Sequence, residues 1–215
     1  MASQSVPIPI TVDSRQPVAE RPPTSLLWRK YRADLNKVLA TLDELGLGRV
    51  IDRLRDARDS GASIYIAGNG GSAATATHWA NDLGKATRVS GRPGLRVTSL
   101  TDNGSWLTAL ANDEGYERVF AGQLENFAKP DDVLMVISAS GNSPNLVEAV
   151  ATARRYGVFS IALLGFDGGR LLGMVDEPLW VSTEVGAYGI AETAHSVIAD
   201  VIAAALMADK VHPET

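Results

Sequence analysis

Short apolar runs alternate with amphipathic stretches along most of this chain. The runs are rich in Val, Ile and Leu, a pattern typical of β-strands that are buried on both faces. They predict five strands, at 63–67, 95–100, 133–137, 160–164 and 179–181. Apolar residues spaced three and four apart predict helices between the strands. These helices lie at 72–83, 105–110, 117–127 and 144–156, with a short turn near 169–174 and a last helix over 189–209.

The alternation of strand and helix is typical of a parallel sheet with right-handed crossovers. With five strands it predicts an α/β fold, a flavodoxin-like doubly wound five-stranded parallel sheet. Such sheets bind ligands at the carboxyl ends of their strands, near the point where the strand order reverses. We therefore expect the functional residues in the loops that follow the strands.

Two helices are predicted ahead of the first strand. The first covers 25–45 with Ser25 as its N-cap, and the second covers 47–60 and ends at Gly61. The first helix carries one apolar stripe that is close to a heptad pattern. This stripe packs either against its own domain or against another subunit, and the sequence favours neither.

Composition predicts one domain with short extensions. The 215 residues are 45% hydrophobic and 21% charged, which is ordinary for a globular domain with a sizeable core. Prolines and small polar residues over 1–24 predict an irregular or disordered N-terminal arm. A single domain is expected over 25–209, followed by a tail at 210–215.

Charge and cysteine content exclude several classes of site. The absence of cysteine excludes disulfides and thiolate metal ligands, and a net charge of -5 gives no reason to expect a nucleic-acid partner. No apolar run reaches the roughly 18 residues of a membrane span, and the first residues lack the pattern of a signal peptide. We expect a soluble, cytoplasmic protein without a membrane partner.

A glycine-rich turn, GNGGS at 68–72, follows the first predicted strand. Glycines let a ligand approach the backbone, and the following helix directs free N–H groups at it. The turn is neither a dinucleotide-binding fingerprint, since Ala73 stands where a glycine is needed, nor a P-loop. It is either a purely structural turn or one side of a ligand-binding site. In the second case the ligand approaches the backbone of Gly70 and Gly71.

A serine-rich loop, SASGNSPN at 138–145, follows the third predicted strand. The hydroxyls of Ser138, Ser140 and Ser143 come just before Pro144, which favours a helix start. Hydroxyls and helix N-terminal N–H groups together bind phosphate without a charged side chain. A single serine here could simply cap the helix. Three hydroxyls in one short loop favour an anion site, and Asn145 belongs to it.

Two further loops carry polar side chains with two possible roles. Asp102 and Asn103 follow the second predicted strand, and Asp113 closes an Ala-Asn-Asp sequence. Their side chains can bond the hydroxyls of a sugar, but the same residue types also form caps and turns. Both interpretations stay open.

Taken in order, the sequences GNGGS, AND, SASGNS and GFDGG resemble the loops of the sugar isomerase (SIS) domain family, and most of all those of phosphoheptose isomerases. The resemblance spans roughly 25–209. It implies a cytoplasmic homotetramer of carbohydrate metabolism, in heptose biosynthesis, that converts sedoheptulose 7-phosphate to D-glycero-D-manno-heptose 7-phosphate. It also implies that Ser138, Ser140 and Ser143 hold the phosphate, although Ala139 replaces a family threonine. By the same resemblance Asn69 and Ser72 face the substrate, and Asp113 matches an active-site aspartate.

The resemblance further implies an enediol(ate) reaction at a divalent metal, which is zinc in the family, although manganese or another hard ion would also suit the oxygen-rich set. Asp82 matches the family's glutamate base, four residues after a histidine matched by His78. Glu192 and Asp200 match a glutamine and a histidine of the family's metal site. His78, Asp82, Glu192 and Asp200 are therefore the expected metal ligands. Because Asp200 replaces the histidine that would donate a proton, His195 is expected to serve as the acid or as a further ligand. The alternative, that His195 is only a structural residue of an amphipathic helix, stays open.

These departures from the family leave two other functions open. One is a noncatalytic phosphosugar-binding protein like the DnaA initiator-associating protein, which would have a DnaA-like protein partner. The other is an isomerase that acts on a different phosphosugar. The pair of His78 and Asp82 favours catalysis, whereas the altered acid and base positions favour the binding protein.

Overall fold

The computed structural model describes residues 23–88 and 91–209. Its centre is a sheet of five parallel strands, which confirms the predicted α/β fold. The strands are β1 (Ser63–Gly68), β2 (Arg96–Ser99), β3 (Val133–Ser138), β4 (Phe159–Leu164) and β5 (Glu177–Trp180). The predicted tail at 210–215, and all of the predicted arm except residues 23 and 24, lie outside the described residues.

The strand order is β2-β1-β3-β4-β5. The chain therefore leaves β1 toward one edge of the sheet and returns on the other side of β1 with β3. At this reversal β1 and β3 pair in parallel, with Gly68 opposite Ile137. Loops diverge at such a switch point and leave a crevice between them. The glycine-rich turn follows β1 and the serine-rich loop follows β3, so both loops border this crevice.

Helices cover both faces of the sheet. The α-helices are α1 (Thr24–Leu39), α2 (Glu44–Ser60), α3 (Gly71–Asn81), α4 (Gly104–Asp113), α5 (Ala121–Phe127), α6 (Pro144–Arg155) and α7 (Tyr188–Met207). A π-helical turn (Asp82–Ala86) and two 3₁₀ turns (Tyr116–Arg118 and Arg170–Gly173) complete the described elements. Alternate residues of β1 enter two cores: Ile64 and Ile66 pack with α2, α3 and α7, and Tyr65 and Ala67 pack with α4, α5 and α6.

The first two helices are divided differently from the prediction. The predicted helix over 25–45 is wrong at its end, because α1 stops at Leu39 and α2 begins at Glu44. Asp43 caps α2 by accepting a hydrogen bond at 3.0 Å from a backbone N–H of its first turn. Ser25 lies inside α1 and caps nothing there. The apolar spacing continues across this break, so the sequence pattern does not reveal it.

The apolar stripe of α1 has two different surroundings. Val38, near its C-terminal end, is buried in the core beneath α2 and α7. Leu26, Leu27 and Trp28, near its start, are each more than half exposed. The second half of the helix thus packs on its own domain, and no described residue of the chain covers the apolar face of the first half.

Helix α7 combines the length of a membrane span with a place in the core. It has 20 residues and a mean hydropathy of 1.5, so by length and composition alone it could cross a membrane. Glu192 and Asp200 interrupt its sequence, so it contains no continuous apolar run of that length. Ala194, Ile198 and Ile202 pack into the core beside the sheet. Within this fold the apolar composition of α7 is explained by that packing.

Candidate active site

A cavity of about 140 Å³ lies at the switch point, where β1 and β3 end. This is the volume of roughly five water molecules in the liquid. Side chains from the glycine-rich turn, the serine-rich loop and the start of α7 form its lining. The lining residues are Asn69, Ser72, Ile137, Ser138, Ala139, Ser140, Ser143, Tyr188 and Glu192. The fold thus brings together five of the predicted substrate-binding residues and one predicted metal ligand.

Gly141 gives the serine-rich loop its shape. Its φ of 63° is in the left-handed region, and a Cβ at this position would overlap the carbonyl oxygen of Gly168. The N–H of Gly141 donates to Ser138 Oγ at 3.0 Å, and the N–H of Leu171 donates to the Gly141 carbonyl at 3.0 Å. The backbone of Gly168, in the GFDGG sequence, therefore packs directly against Gly141 of the serine-rich loop. Sequence reasoning noticed that motif but missed this role, because the contact joins segments far apart in the chain.

Ser143 precedes α6 but does not cap it. Within the described part of the chain, its side chain accepts no hydrogen bond from the first turn of that helix. Its backbone carbonyl instead accepts the N–H of Val147 at 3.0 Å, and Pro144 holds the first helical position. The Ser143 hydroxyl is thus available to the cavity that it lines. This arrangement favours the anion-site interpretation of the loop over the capping interpretation.

The positive potential at the cavity comes from backbone, since no Lys, Arg or His lines it among the described residues. Two helices begin beside it, α3 at Gly71 and α6 at Pro144. The free N–H groups at the start of a helix carry roughly half a positive charge in total and attract anions. Hydroxyl, amide and backbone donors can therefore hold an anionic group here.

Among the described residues that line the cavity, Glu192 contributes the one carboxylate. A Cβ on Gly71 would lie 2.5 Å from both of its carboxylate oxygens, so the carboxylate packs directly on the first residue of α3. A negative group is stabilised at a helix N-terminus. Glu192 can accept hydrogen bonds from a sugar or take a proton from it. From the sequence, Glu192 was expected to be a metal ligand.

Asn69 is held by two other side chains. Its Nδ2 donates to Asn145 Oδ1 at 2.9 Å, and Asn145 Nδ2 donates back to Asn69 Oδ1 at 2.8 Å. The hydroxyl of Tyr116 donates to the same Asn69 oxygen at 3.1 Å. Asn145 thus belongs to the site through Asn69. Tyr116 is a site residue that sequence reasoning missed, and only its closeness to the Ala-Asn-Asp sequence could have suggested it.

His78 of α3 and Asp82, the first residue after α3, form a pair away from the cavity lining. His78 Nε2 lies 3.2 Å from the carboxylate of Asp82, as expected for residues four apart in a helix. The two side chains are 66% and 25% exposed. Asp82 also accepts a hydrogen bond from Asn81 and opens the π-helical turn. Turns of this kind are frequent at functional sites.

The four predicted metal ligands do not meet within one chain. Glu192 lies at the cavity, and Asp200 is exposed on α7. Eight residues rotate a helix by about 800°, which leaves the two side chains about 80° apart around its axis. In the part of the chain that the structure describes, no three His, Asp or Glu side chains are close enough to hold a metal ion. The pair of His78 and Asp82 offers two ligands, fewer than a zinc site uses.

His195 lies in the core and not at the cavity. The residue is fully buried, and neither ring nitrogen makes a hydrogen bond of good geometry within the described part of the chain. Burial lowers the pKa of His195 to about 4, and the nearby backbone of Leu164 opposes the lowering only in part. The ring is therefore neutral at pH 7 and out of reach of a ligand. This placement does not fit the predicted role of acid or ligand, because helical periodicity alone could not tell which polar residue of α7 faces inward.

Asp102, Asn103 and Asp113 lie away from the small cavity. Asp102 and Asn103 line a separate groove of about 790 Å³ between α3, β2 and α4. Asn103 caps α4 by accepting the N–H of Trp106 at 3.1 Å, and Asp102 accepts the hydroxyl of Thr77 at 2.5 Å. Asp113 is exposed at the end of α4. For Asn103 the structure shows the capping contact that the sequence had left open.

Known proteins resemble this chain in sequence and in fold. The family model of the SIS domain matches residues 28–165. A phosphoheptose isomerase of Trichlorobacter lovleyi is 41% identical over 153 residues, covering 71% of this chain and 74% of the relative. One of Helicobacter pylori is 39% identical over 154 residues, covering 72% and 79%. The solved phosphoheptose isomerase of Neisseria gonorrhoeae superposes with a TM-score of 0.76 at 27% identity, covering 85% of this chain and 96% of that one.

Proposed function

The chain belongs to the SIS domain family, and from that premise we propose that it is a phosphosugar isomerase. We propose sedoheptulose 7-phosphate as its substrate and D-glycero-D-manno-heptose 7-phosphate as its product, because relatives named phosphoheptose isomerase match most of its length. The observation that carries the proposal is the cavity at the switch point. It combines three serine hydroxyls with the starts of two helices.

The phosphate group is proposed to sit on the serine-rich loop. Ser138, Ser140 and Ser143 offer hydroxyls, and the start of α6 offers backbone N–H groups. Hydrogen bonds to a charged group are shorter and stronger than neutral ones, so a few such donors suffice without a lysine or arginine. The sugar then extends past Asn69 and Glu192 toward the open side of the cavity.

The reaction needs a base near the sugar. Conversion of a ketose to an aldose moves a proton between adjacent carbons through an enediol(ate), with donors for the oxygen that becomes negative. Asp82 as the base stays a prediction, carried by the resemblance, and its carboxylate is paired with His78. Glu192 is the carboxylate that lines the cavity itself. Either carboxylate has the chemistry to accept the proton.

A divalent metal also stays a prediction. The nitrogen and oxygen donors of His78 and Asp82 suit zinc, but a pair of ligands does not complete a site in one chain. Water, substrate oxygens or another copy of the chain would have to supply the rest. For this reason no step of the proposed reaction is assigned to a metal.

The second candidate is a noncatalytic protein that binds a phosphosugar. It is favoured by the burial of His195, which removes the predicted acid from the cavity. It is also favoured by the position of Asp82 outside the lining. Under this candidate the serine-rich loop still binds phosphate. A protein partner such as a DnaA-like initiator then recognises the protein with the phosphosugar bound.

The chain is also proposed to assemble with copies of itself, as a tetramer. Leu26, Leu27 and Trp28 form an apolar face at the start of α1 that residues 23–88 and 91–209 leave exposed. Monomeric proteins rarely expose large contiguous apolar patches. Tyr31 in the same helix bonds the Gly189 carbonyl at 3.0 Å, so α1 reaches the part of α7 that borders the cavity.

The experiment that tests the function compares turnover with binding. Purified protein is mixed with sedoheptulose 7-phosphate, with and without added divalent metals, and the product is followed by NMR. We expect turnover by the natural sequence and substrate binding weaker by about tenfold or more in Ser143→Ala, since one hydrogen bond to a charged group is lost. Ser60→Ala, at the end of α2, is the control and should bind normally. Binding without turnover would support the second candidate, and neither binding nor turnover would reject both.

A further inference from the structure

The amide of Asn69 presents a fixed donor to the cavity. Its oxygen accepts two hydrogen bonds, from Asn145 Nδ2 at 2.8 Å and from the Tyr116 hydroxyl at 3.1 Å, which uses both of its lone pairs. One of its two N–H bonds is used by Asn145 Oδ1 at 2.9 Å. Among the described residues, the other N–H bond has no partner. Because Asn69 lines the cavity, this bond is the contribution that its amide can make to a ligand.

The two asparagines alone do not fix which way this amide points. Asn145 is 2% exposed and exchanges two hydrogen bonds with Asn69. If both amides rotated by 180°, each would still donate and accept one bond, so the pair is satisfied in either orientation. A phenol hydroxyl is a better donor than acceptor. The hydroxyl of Tyr116 therefore selects the orientation that turns the Asn69 oxygen toward it.

The hydroxyl of Tyr116 is delivered from a firmly anchored turn. Tyr116 opens the short 3₁₀ turn that ends at Arg118. The guanidinium of Arg118 lies 2.7 Å from Glu125 of α5 and 3.5 Å from Glu148 of α6. Val119, the next residue, is fully buried. Tyr116 is 54% exposed. Its hydroxyl is held by the hydrogen bond to Asn69, and its backbone is held by the anchored turn.

We propose that Tyr116 is a positioning residue of the phosphosugar site. It acts through Asn69, whose amide it holds with one N–H bond free for the bound ligand, and it does not touch the substrate itself. This inference rests on the proposed function, because it assigns Asn69 to the binding of the phosphosugar. The turn after α4 thereby becomes part of the site, although it contributes none of the described lining residues of the cavity.

The test is the removal of one oxygen atom in Tyr116→Phe. A donor that contacts the ligand equally in the ground state and the transition state affects KM and leaves kcat unchanged. We expect KM for sedoheptulose 7-phosphate to rise about fivefold, the effect of one ordinary hydrogen bond, with kcat within about twofold of the natural protein. The thermal unfolding temperature should stay the same. Tyr156→Phe is the matched control, because Tyr156 is an exposed tyrosine at the end of α6, and its KM should not change.

A second measurement separates positioning from a general structural effect. In an Asn69→Ala background, Tyr116→Phe should cause no further rise in KM, because the group that Tyr116 holds is gone. A KM for Tyr116→Phe equal to that of the natural protein would overturn the inference and leave the proposed function standing. An equal fivefold rise with and without Asn69 would also overturn it. If Asn69→Ala does not fold, the comparison of Tyr116→Phe with Tyr156→Phe decides alone. Failure of the natural protein to bind sedoheptulose 7-phosphate would instead overturn the proposed function, and this inference with it.

Discussion

Among single residues, His195 makes stability depend on pH. Its pKa is about 4 in the folded chain, because the buried ring resists a charge, and about 6.5 in an unfolded chain. Between these values the unfolded state binds a proton that the folded state does not. The stability from the neutral ring is therefore fully present above pH 6.5 and is lost as the pH falls toward 4. From pH 7 to pH 5 we expect the free energy of unfolding to drop by about 2 kcal/mol on this account.

The measurement is urea unfolding at pH 7 and pH 5 for the natural chain and for His195→Leu. The leucine variant should lack this part of the pH dependence, whatever its stability at pH 7. An equal drop in the natural chain and in His195→Leu would show that His195 titrates normally and is not buried as described.

The residues of the site differ in how far the sequence could predict them. Ser140 and Ser143 are neighbours in the chain, so their shared loop was visible as a local pattern. The contact of Glu192 with Gly71 and that of Tyr116 with Asn69 join distant segments, and they exist only once the sheet has formed. No periodicity in the sequence encodes such contacts. The resemblance to a family identified positions on α7, but their direction around the helix had to come from packing.

Among the elements, the serine-rich loop depends on one glycine. Gly141 has a positive φ and no room for a Cβ beside Gly168. We expect Gly141→Ala to lower the free energy of unfolding by about 3 kcal/mol, from backbone strain and overlap together, and to abolish phosphate binding. Urea unfolding and calorimetric titration with inorganic phosphate measure the two effects.

The control for this variant is Gly48→Ala. Gly48 lies inside α2, and a Cβ there meets nothing within 4 Å. We expect a gain of about 0.5–1 kcal/mol, because alanine favours a helix interior over glycine, and phosphate binding should not change. Phosphate binding that survives in Gly141→Ala would show that the loop does not need this shape to hold an anion.

A charged cluster ties helix α2 to the end of α7. Asp209, just beyond α7, accepts hydrogen bonds from Arg55 at 2.7 Å and from Arg58 at 2.8 Å, and these guanidinium groups, Arg55 first, lower the pKa of Asp209 to about 2. The side chain of Arg58 is fully buried. In Asp209→Asn this buried charge loses its nearer carboxylate and keeps only the more distant Asp59, at 3.8 Å. We expect the free energy of unfolding to fall by about 3 kcal/mol in urea.

A matched variant distinguishes the buried pair from a surface pair. Asp52 also pairs with Arg55 at 2.8 Å, but its side chain is 72% exposed. We expect Asp52→Asn to change stability by less than about 0.5 kcal/mol. Similar losses in Asp52→Asn and Asp209→Asn would mean that the burial of Arg58 contributes nothing to the energy of this cluster.

The three central strands β1, β3 and β4 were predictable because each is an apolar run that is buried on both faces, whereas the edge strands β2 and β5 are shorter and partly exposed. All five occur within one or two residues of their expected ends. The break between α1 and α2 was not predictable from the same pattern, because Leu42 and Leu45 continue the spacing of the stripe. Asp43, an ordinary capping residue, was the local signal at the break. Hydrophobic periodicity shows that a helix exists more reliably than it shows where that helix ends.

At the scale of the whole molecule, the strand order turns separate motifs into one site. The reversal between β1 and β3 places two loops side by side that are distant in the chain. Helix α7 then closes the cavity with Tyr188 and Glu192 from its first two turns. Alternation of strands and helices predicts a sheet of this class and the edge at which ligands bind. The meeting of α7 with α3 follows only from the packing of complete layers.

The uncovered start of α1 predicts self-association of the whole molecule. Trp28 is 62% exposed beside Leu26 and Leu27. We expect light scattering to show an oligomer for the natural chain, and Trp28→Glu to shift it toward the monomer, because a buried carboxylate in an apolar interface is costly. The thermal unfolding of the Trp28→Glu monomer should show one cooperative transition, since Trp28 contributes little to the core of its own chain. Arg29→Glu, on a neighbouring polar face of α1, reverses a charge and should leave the assembly intact. A natural chain that is already monomeric at micromolar concentration would contradict the proposal that α1 packs on a second copy.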